Sequence, residues 1–458
     1  MSSNLLAITD ELLQHFREVY KPENSFKAIT SATGLVGYTL EKPAKFLVPV
    51  ITPLRNRIRR KSAPAGARQA TWKAITAINA AGARPTAVEG ERGNSVTTTV
   101  VEKQAPYKVV GLNDSVTIEA QQMGAGFEDV RARATVNLLY AVMMGEEKLI
   151  CGGRKDSLGT PDAPTLTGSG TGGNIGVGTF YVRVAARPFM GRHVGDKTAA
   201  SNAVSINFGA GTTNSIQASV AHLKGAVQYD WYVGTAANDC KFYASTKISS
   251  VTITSIPASG ALAPTTDTSG DPLAFDGIHT TLIEAGSGAY YKNQGGAELT
   301  GSQGGIAEID TMLAAIWDNA KVSPESLLMS GNTAWDITNK ILASGSAQIN
   351  LVNAEKPGLI GGAYVESYIN KAVGGKRVKI EPHPDFPDNL IIALTEGVPY
   401  PDAEVEVALE IETLMEYSTL EWAMTKPTYE FDVRAIEVLK NYFPGGMGVI
   451  ENIKLAVA

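Results

Sequence analysis

Cysteine is nearly missing from this chain: Cys151 and Cys240 are the only two in 458 residues. They stand far apart and outside any CxxC pattern, which excludes a disulfide framework and a cysteine-built structural zinc site and fits a reducing compartment. The five histidines, His15, His193, His222, His279 and His383, are also scattered, with no pair at helical spacing and no HExxH. A histidine metal site would therefore need convergence from distant segments, and satisfied or exposed histidines are expected instead. No apolar run reaches the roughly 18 residues that span a bilayer. The N-terminal MSSNLLAITDELLQHF lacks a basic n-region and is interrupted by Asp10 and Glu11, so it does not read as a secretion signal. Excess basic charge is missing too: 40 Lys and Arg against 46 Asp and Glu give a net charge of −6, which excludes a chain whose main work is gripping phosphates.

What is present is a globular composition. With 44% hydrophobic and 19% charged residues, 46 Gly and 22 Pro, the chain is neither disordered nor collagenous nor a coiled coil. At roughly 150 residues per domain it holds about three folding units.

Leu5, Ile8, Leu12, Phe16 and Val19 place one apolar stripe on a short helix within residues 4–20, docked either on the chain's own core or on a neighbouring subunit. From Lys21 to about Leu54 the periodicity ends, and Pro22, Pro43, Pro49 and Pro53 favour an extended arm. Residues 67–76 and 94–103 form two strand-like runs around a Gly, Ala and Arg tip. A lone two-stranded ribbon with little beyond Trp72, Ile75, Val100 and Val101 to bury needs a surface to lie on, in this chain or another copy.

After a strand over 107–118, Phe127, Val130, Ala134, Leu138, Ala141 and Met144 predict a long helix from Phe127 to Ile150, stopped by Gly152 and Gly153. Residues 159–274 then hold few charges and several short alternating runs (180–186, 202–208, 228–234, 241–246 and 250–256), which predict an antiparallel sandwich between small-residue linkers. Val182, Val184, Trp231, Val251 and Ile253 are its expected core.

Beyond Phe275 the pattern is mixed. Ile306, Ile309, Leu313, Ile316 and Ala320 mark one helix, and Trp335, Ile341 and Leu342 lie on another from near Asn332. Strands are predicted at 326–329, 377–382 and 390–394. In EVEVALEIE, Val405, Val407, Leu409 and Ile411 alternate with Glu404, Glu406, Glu410 and Glu412, predicting one buried and one wet face. The run 428–439 is expected to pair with it.

Catalytic motifs are not found. Gly168, Gly170 and Gly173 match GxGxxG, but a strand follows rather than a helix, so a flexible linker is expected. Gly374, Gly375 and Lys376 superficially resemble a phosphate loop, but Arg377 occupies the Ser/Thr position. His383, Asp385 and Asp388 are the nearest thing to a cation cluster, and the prolines around them favour a rigid turn. No enzyme activity, metal or cofactor is expected. The basic run Arg55, Arg57, Arg59, Arg60 and Lys61 remains, with Arg55, Arg57 and Arg59 on one face of an extended strand. It serves as a solvated face, as salt bridges to a neighbour's Glu89 and Glu91, or as a contact to packaged nucleic acid.

The order of parts resembles the major capsid proteins of tailed bacteriophages. The residues that carry the likeness are FEDVRARATVNLLYAVMMGEEKLICGG, FDGIHTTL (275–282) and KPTYEFDVRAIEVLKNYFPGGMGVIENI, with GTFYVRVAARP, GAVQYDWYVGTA and KFYASTKI resembling immunoglobulin or fibronectin type III-like insertions. The resemblance implies an α+β, Hong Kong 97-type fold: N-terminal helix and arm (1–61), E-loop hairpin (62–104), P-domain with a spine helix (105–158), inserted sandwich (159–274), A-domain (275–400), and P-domain strands with the C-terminal segment (401–458). It implies a structural protein forming hexamers and pentamers that close an icosahedral shell around double-stranded DNA, in a virion assembled in bacterial cytoplasm. Implied partners are its own copies, portal, scaffolding and decoration proteins. Intersubunit contacts fall on Arg55, Arg57, Arg59, Arg60, Lys61, Trp72, Lys73, Arg84, Glu89 and Glu91. An encapsulin compartment and a tail or surface adhesin are the alternatives.

Overall fold

The computed structural model describes residues 49–456 apart from 65, 79–81, 83, 125–128, 303, 344–363, 399 and 401–404. The stripe at 4–20, the arm before residue 49, Phe127 and Glu404 lie outside the described residues.

Pro53 occupies the first turn of a short helix, α1 (Pro53–Arg57), where a missing N–H costs nothing. Strand β1 (Arg59–Ser62) follows at once. Arg55 and Arg57 are therefore helical and do not share an extended face with Arg59, because the proline starts a turn instead of prolonging the arm.

Strands β2 (Gln69–Ile78) and β3 (Thr98–Pro106) form the long antiparallel hairpin, with Ile75 opposite Val100 and Trp72 opposite Lys103. Strand β4 (Lys108–Thr117) and helix α2 (Ile118–Gly124) lead to α3 (Val130–Gly152). Asp129 caps α3 by accepting from the N–H groups of Arg131 and Ala132, which fixes its start at Val130 rather than Phe127. Its buried positions are Leu138, Val142, Glu146, Glu147, Ile150, Cys151 and Gly152. The apolar stripe expected through Ala141 and Met144 thus gives way in the last turns to a face carrying two carboxylates.

Strands β5 (Thr165–Ser169), β6 (Gly178–Pro188), β7 (Val204–Phe208), β8 (Ser215–Ser219), β9 (Ala226–Gly234), β10 (Lys241–Thr246) and β11 (Ser250–Ile253) form two antiparallel sheets, ordered β10-β9-β6-β7 and β11-β8-β5. Alternation sends Val182, Val184 and Trp231 from one sheet and Ile216, Ala218 and Ile253 from the other into a shared core. Gly168 belongs to β5, and the Gly173 N–H donates to the Thr213 carbonyl, so the glycine-rich stretch is part of this unit rather than a flexible linker. The chain enters and leaves the unit side by side: the Leu158 N–H donates to Ser269 Oγ at 2.9 Å, and the Asp271 N–H to the Arg154 carbonyl at 3.0 Å.

Helix α4 (Gly191–Val194) lies in the β6–β7 connection. The rest comprises α5 (Ile278–Ile283), β12 (Tyr290–Asn293), β13 (Gly301–Ser302), β14 (Gly305–Ile306), α6 (Ala307–Ala320), β15 (Ser326–Met329), α7 (Gly331–Ala343), β16 (Ser367–Asn370), β17 (Lys376–Pro382), β18 (Ile391–Leu394), β19 (Leu409–Glu421), β20 (Thr428–Asn441) and β21 (Gly448–Glu451). A four-stranded sheet runs β1-β19-β20-β4, and a six-stranded one runs β12-β21-β18-β15-β17-β16. Ile309, Leu313 and Ile316 of α6 and Ile337 of α7 pack with Leu327, Ile380 and Ile391 of that larger sheet. Strand β21 lies between β12 and β18, so the last segment of the chain completes the six-stranded sheet rather than the four-stranded one.

The expected wet face of EVEVALEIE holds at Glu406, which is exposed, but not along β19. The strand starts at Leu409, and Glu410 and Glu412 are 6% and 5% exposed. Tyr107 Oη donates to Glu412 Oε1 at 2.8 Å, and Lys440 of β20 forms an ion pair with Glu412. The base of the hairpin covers this face, and the glutamates are buried because a cation and hydroxyls meet them.

Candidate assembly surface and buried charge network

Among the described residues, the hairpin is anchored only at its base. The Trp72 ring meets Tyr442 edge-on at 5.7 Å and lies 5.8 Å from Lys440 Nζ. Further out, Ile75, Ile78, Val88, Val96 and Val100 are each more than half exposed. Lys73 pairs within the hairpin with Glu102 at 3.6 Å, and Arg84, Glu89 and Glu91 are exposed around the tip. Single exposed aliphatic side chains are ordinary, but this many on one slender ribbon make it a candidate interaction surface.

The basic run behaves differently. Arg55 Nε donates to Glu146 Oε2 at 2.7 Å, while Arg60 joins Glu146 Oε1 and, at 2.7 Å, Glu437 Oε2. Arg57 reaches Glu381 at 2.5 Å and also Glu396, and Arg59 reaches Glu406 at 2.8 Å. The cations therefore meet acidic groups of their own chain, and only Lys61 lacks such an ion pair among the described residues. Glu147 caps α1 from across the fold, accepting from the Leu54 and Arg55 N–H groups at 2.9 and 2.7 Å. Residues 53–62 thus form a strap across α3, the four-stranded sheet and β17. Burial works to lower the Arg60 pKa, but Glu146 and Glu437 hold it above its ordinary value.

Three histidines do converge with acids. His222 and His279 each place Nε2 on Glu451, at 2.8 and 2.6 Å, and Tyr291 Oη donates to the same carboxylate at 2.8 Å. Burial works to raise the Glu451 pKa, but the hydrogen bonds from His222 and His279 hold it far below the usual carboxylate range. His383 Nε2 lies 2.7 Å from Glu147 Oε1, with Cys151 Sγ close by; the three donor atoms lie within 4.8 Å of one another. The Asp385 N–H donates to His383 Nδ1 at 3.1 Å, which places the ring proton on Nε2, pointing at Glu147. Coordination through Nε2 would move that proton to Nδ1, facing another donor. It would also require the Cys151 thiolate, which burial and the Glu147 charge oppose. Hydrogen bonding, not metal ligation, accounts for this cluster. Asp388 turns away to Ser330, Asn332 and Lys247, so EPHPDFPDN forms no joint cation site.

The residues that sequence reasoning passed over are Glu146, Glu147, Glu437 and Glu451. The available signal was spacing: Glu146 stands four residues from both Val142 and Ile150, on the buried face of α3. Among the described residues, no helix is long and apolar enough to cross a membrane.

No known family profile matches the sequence, and no curated protein matches it. Among solved structures, the chain is similar to the capsid of a native GTA particle (9% identity, TM-score 0.48, covering 94% of this chain and 100% of that one). It is also similar to the capsid of Cyanophage A-1(L) (12%, 0.47, 93% and 99%). A third likeness is to the holo-SrpI encapsulin complex from Synechococcus elongatus (9%, 0.41, 94% and 97%).

Proposed function

We propose that this chain is the major capsid subunit of a tailed bacteriophage, many copies of which assemble as hexamers and pentamers into an icosahedral shell around double-stranded DNA. On this reading the hairpin serves as the E-loop, α3 as the spine helix and the two-sheet unit as an inserted immunoglobulin or fibronectin type III-like domain. Portal, scaffolding and decoration proteins are its partners. One observation carries the reading: among the described residues, the hairpin presents Ile75, Ile78, Val88, Val96 and Val100 to solvent and is anchored only near Trp72. A ribbon that buries so little at home buries it on another copy, and head-to-tail repetition of one such contact closes rings and shells. Lys73, Arg84, Glu89 and Glu91 lie on the hairpin and are assigned to that contact, whereas Trp72 serves as its anchor on Tyr442 and Lys440 of the same chain. The net charge of −6 suits a container that must release its DNA.

Deleting residues 78–92 tests this. The expected result is a folded, soluble subunit that sediments without shells. Normal particles from the truncated chain would refute the assignment, and nuclease-protected DNA in full-length particles separates a virion from an encapsulin compartment.

A further inference from the structure

The strap of residues 53–62 closes over more negative charge than it neutralises. Glu146 and Glu147 of α3 and Glu437 of β20 are fully buried carboxyls, and the strap brings two guanidinium groups to them, Arg55 and Arg60. Each oxygen of Glu147 is filled by the α1 N–H groups and by His383, and each oxygen of Glu146 by Arg55, Arg60 and Tyr417. Glu437 Oε2 takes Arg60, but Glu437 Oε1 has no hydrogen-bond partner among the described residues.

We propose that the strap is a proton-controlled latch: it is closed when Glu437 carries a proton and loosens when that proton is lost. Three carboxylates facing two guanidinium groups leave one uncompensated buried negative charge, and a proton on Glu437 removes it. Among the described residues, the surrounding groups supply no alternative cation. On α1 and β1 these are Arg55 and Arg60, on α3 Glu146 and Glu147, and on β19 Tyr417. On β17's side His383 is held as the Nε2–H tautomer, and on β4 Lys108, opposite Glu437 in the ladder, gives its ammonium to the Pro272 carbonyl. Burial, and then the Glu146 charge, push Glu437 up to about 7.

The sign follows. A carboxyl whose pKa is raised in the closed form supports closure at low pH, and that support is lost as pH rises through the raised value. Against an ordinary glutamate, closure weakens by about tenfold between about pH 6 and about pH 8.5. Loosening acts on a junction, because the strap touches the four-stranded sheet through β1, the helix through Glu146 and Glu147, and the six-stranded sheet through Arg57 and Glu381.

Hydrogen exchange of the full chain, followed at the 53–62 amides and corrected for the intrinsic pH dependence, tests the latch. Wild type should lose about tenfold in protection over that pH range. Glu437→Gln, neutral at every pH, should keep its protection throughout. Should Glu437→Gln not fold, Glu146→Gln removes the same repulsion from the other carboxyl and should flatten the profile as well. A wild-type profile that does not change with pH, or the same pH dependence in a folded Gln variant, would overturn the proposal.

Discussion

His222 of the two-sheet unit and Glu451 of β21 are 229 residues apart in sequence and 2.8 Å apart in space, both side chains 1% exposed. The contact rivets the unit to the six-stranded sheet. Tyr229 Oη accepts from the Leu223 N–H and lies 2.8 Å from His222 Nδ1, so its hydroxyl proton can go to Nδ1 and the ring proton on Nε2 faces Glu451. The Gly225 N–H donates to the same carboxylate at 3.2 Å.

Glu451→Gln should therefore cost about 3 kcal/mol at neutral pH, since its amide group turns donors toward donors. Because the carboxyl is held low in the folded protein, its contribution is complete above the ordinary carboxylate range and is lost only on strong acidification. The gap between wild-type and variant melting temperatures should shrink as pH is lowered below about 4. A gap that is unchanged in acid would mean that the carboxylate's charge does not carry the contact.

Glu412 makes a second case. Tyr107 and Lys440 hold it beneath the hairpin base, and burial works to lower the Lys440 pKa while Glu410 opposes the shift. Glu412→Ala leaves that ammonium buried with one carboxylate fewer and should cost about 3 to 5 kcal/mol in denaturant titration. The double variant Glu412→Ala, Lys440→Met should recover much of the loss, because it removes both charges together. If the double variant is less stable than Glu412→Ala, the ion pair is not the source of the cost.

Sequence periodicity revealed most elements, because a period of two or of 3.6 survives wherever one face is apolar. Ile309, Leu313 and Ile316 of α6 and Val182, Val184 and Trp231 of the two-sheet unit are buried as expected. Charge at a buried position was not legible. Glu412 looks solvent-facing in sequence, and spacing puts Glu146 on the buried face without naming its partners; only the arrival of Arg55, Arg60, Lys440 and Tyr107 from distant segments makes their burial tolerable. The basic run was found by composition, yet its partners were not, since they come from α3, β17 and β20 and from Glu396 and Glu406. The crossing of β21 into the larger sheet was equally hidden, because a strand of four residues carries no record of its neighbours.

The two-sheet unit should fold by itself. Its core residues Val182, Val184, Trp231 and Ile253 are all 0% exposed, and its ends meet at Leu158 and Ser269, so among the described residues no host strand passes through it. Trp231 fills the centre and donates from Nε1 to Thr246 Oγ1 at 2.8 Å. Residues 159–274 expressed alone should melt in one cooperative transition. Trp231→Phe removes ring volume and leaves Thr246 without its donor, a loss of about 2 kcal/mol. If the unit is autonomous, that loss is the same in the fragment and in the full chain, since the seam at His222 and Glu451 lies outside the substituted core. A fragment that melts without cooperativity, or a Trp231→Phe loss seen only in the full chain, would show that the six-stranded sheet completes the unit's core.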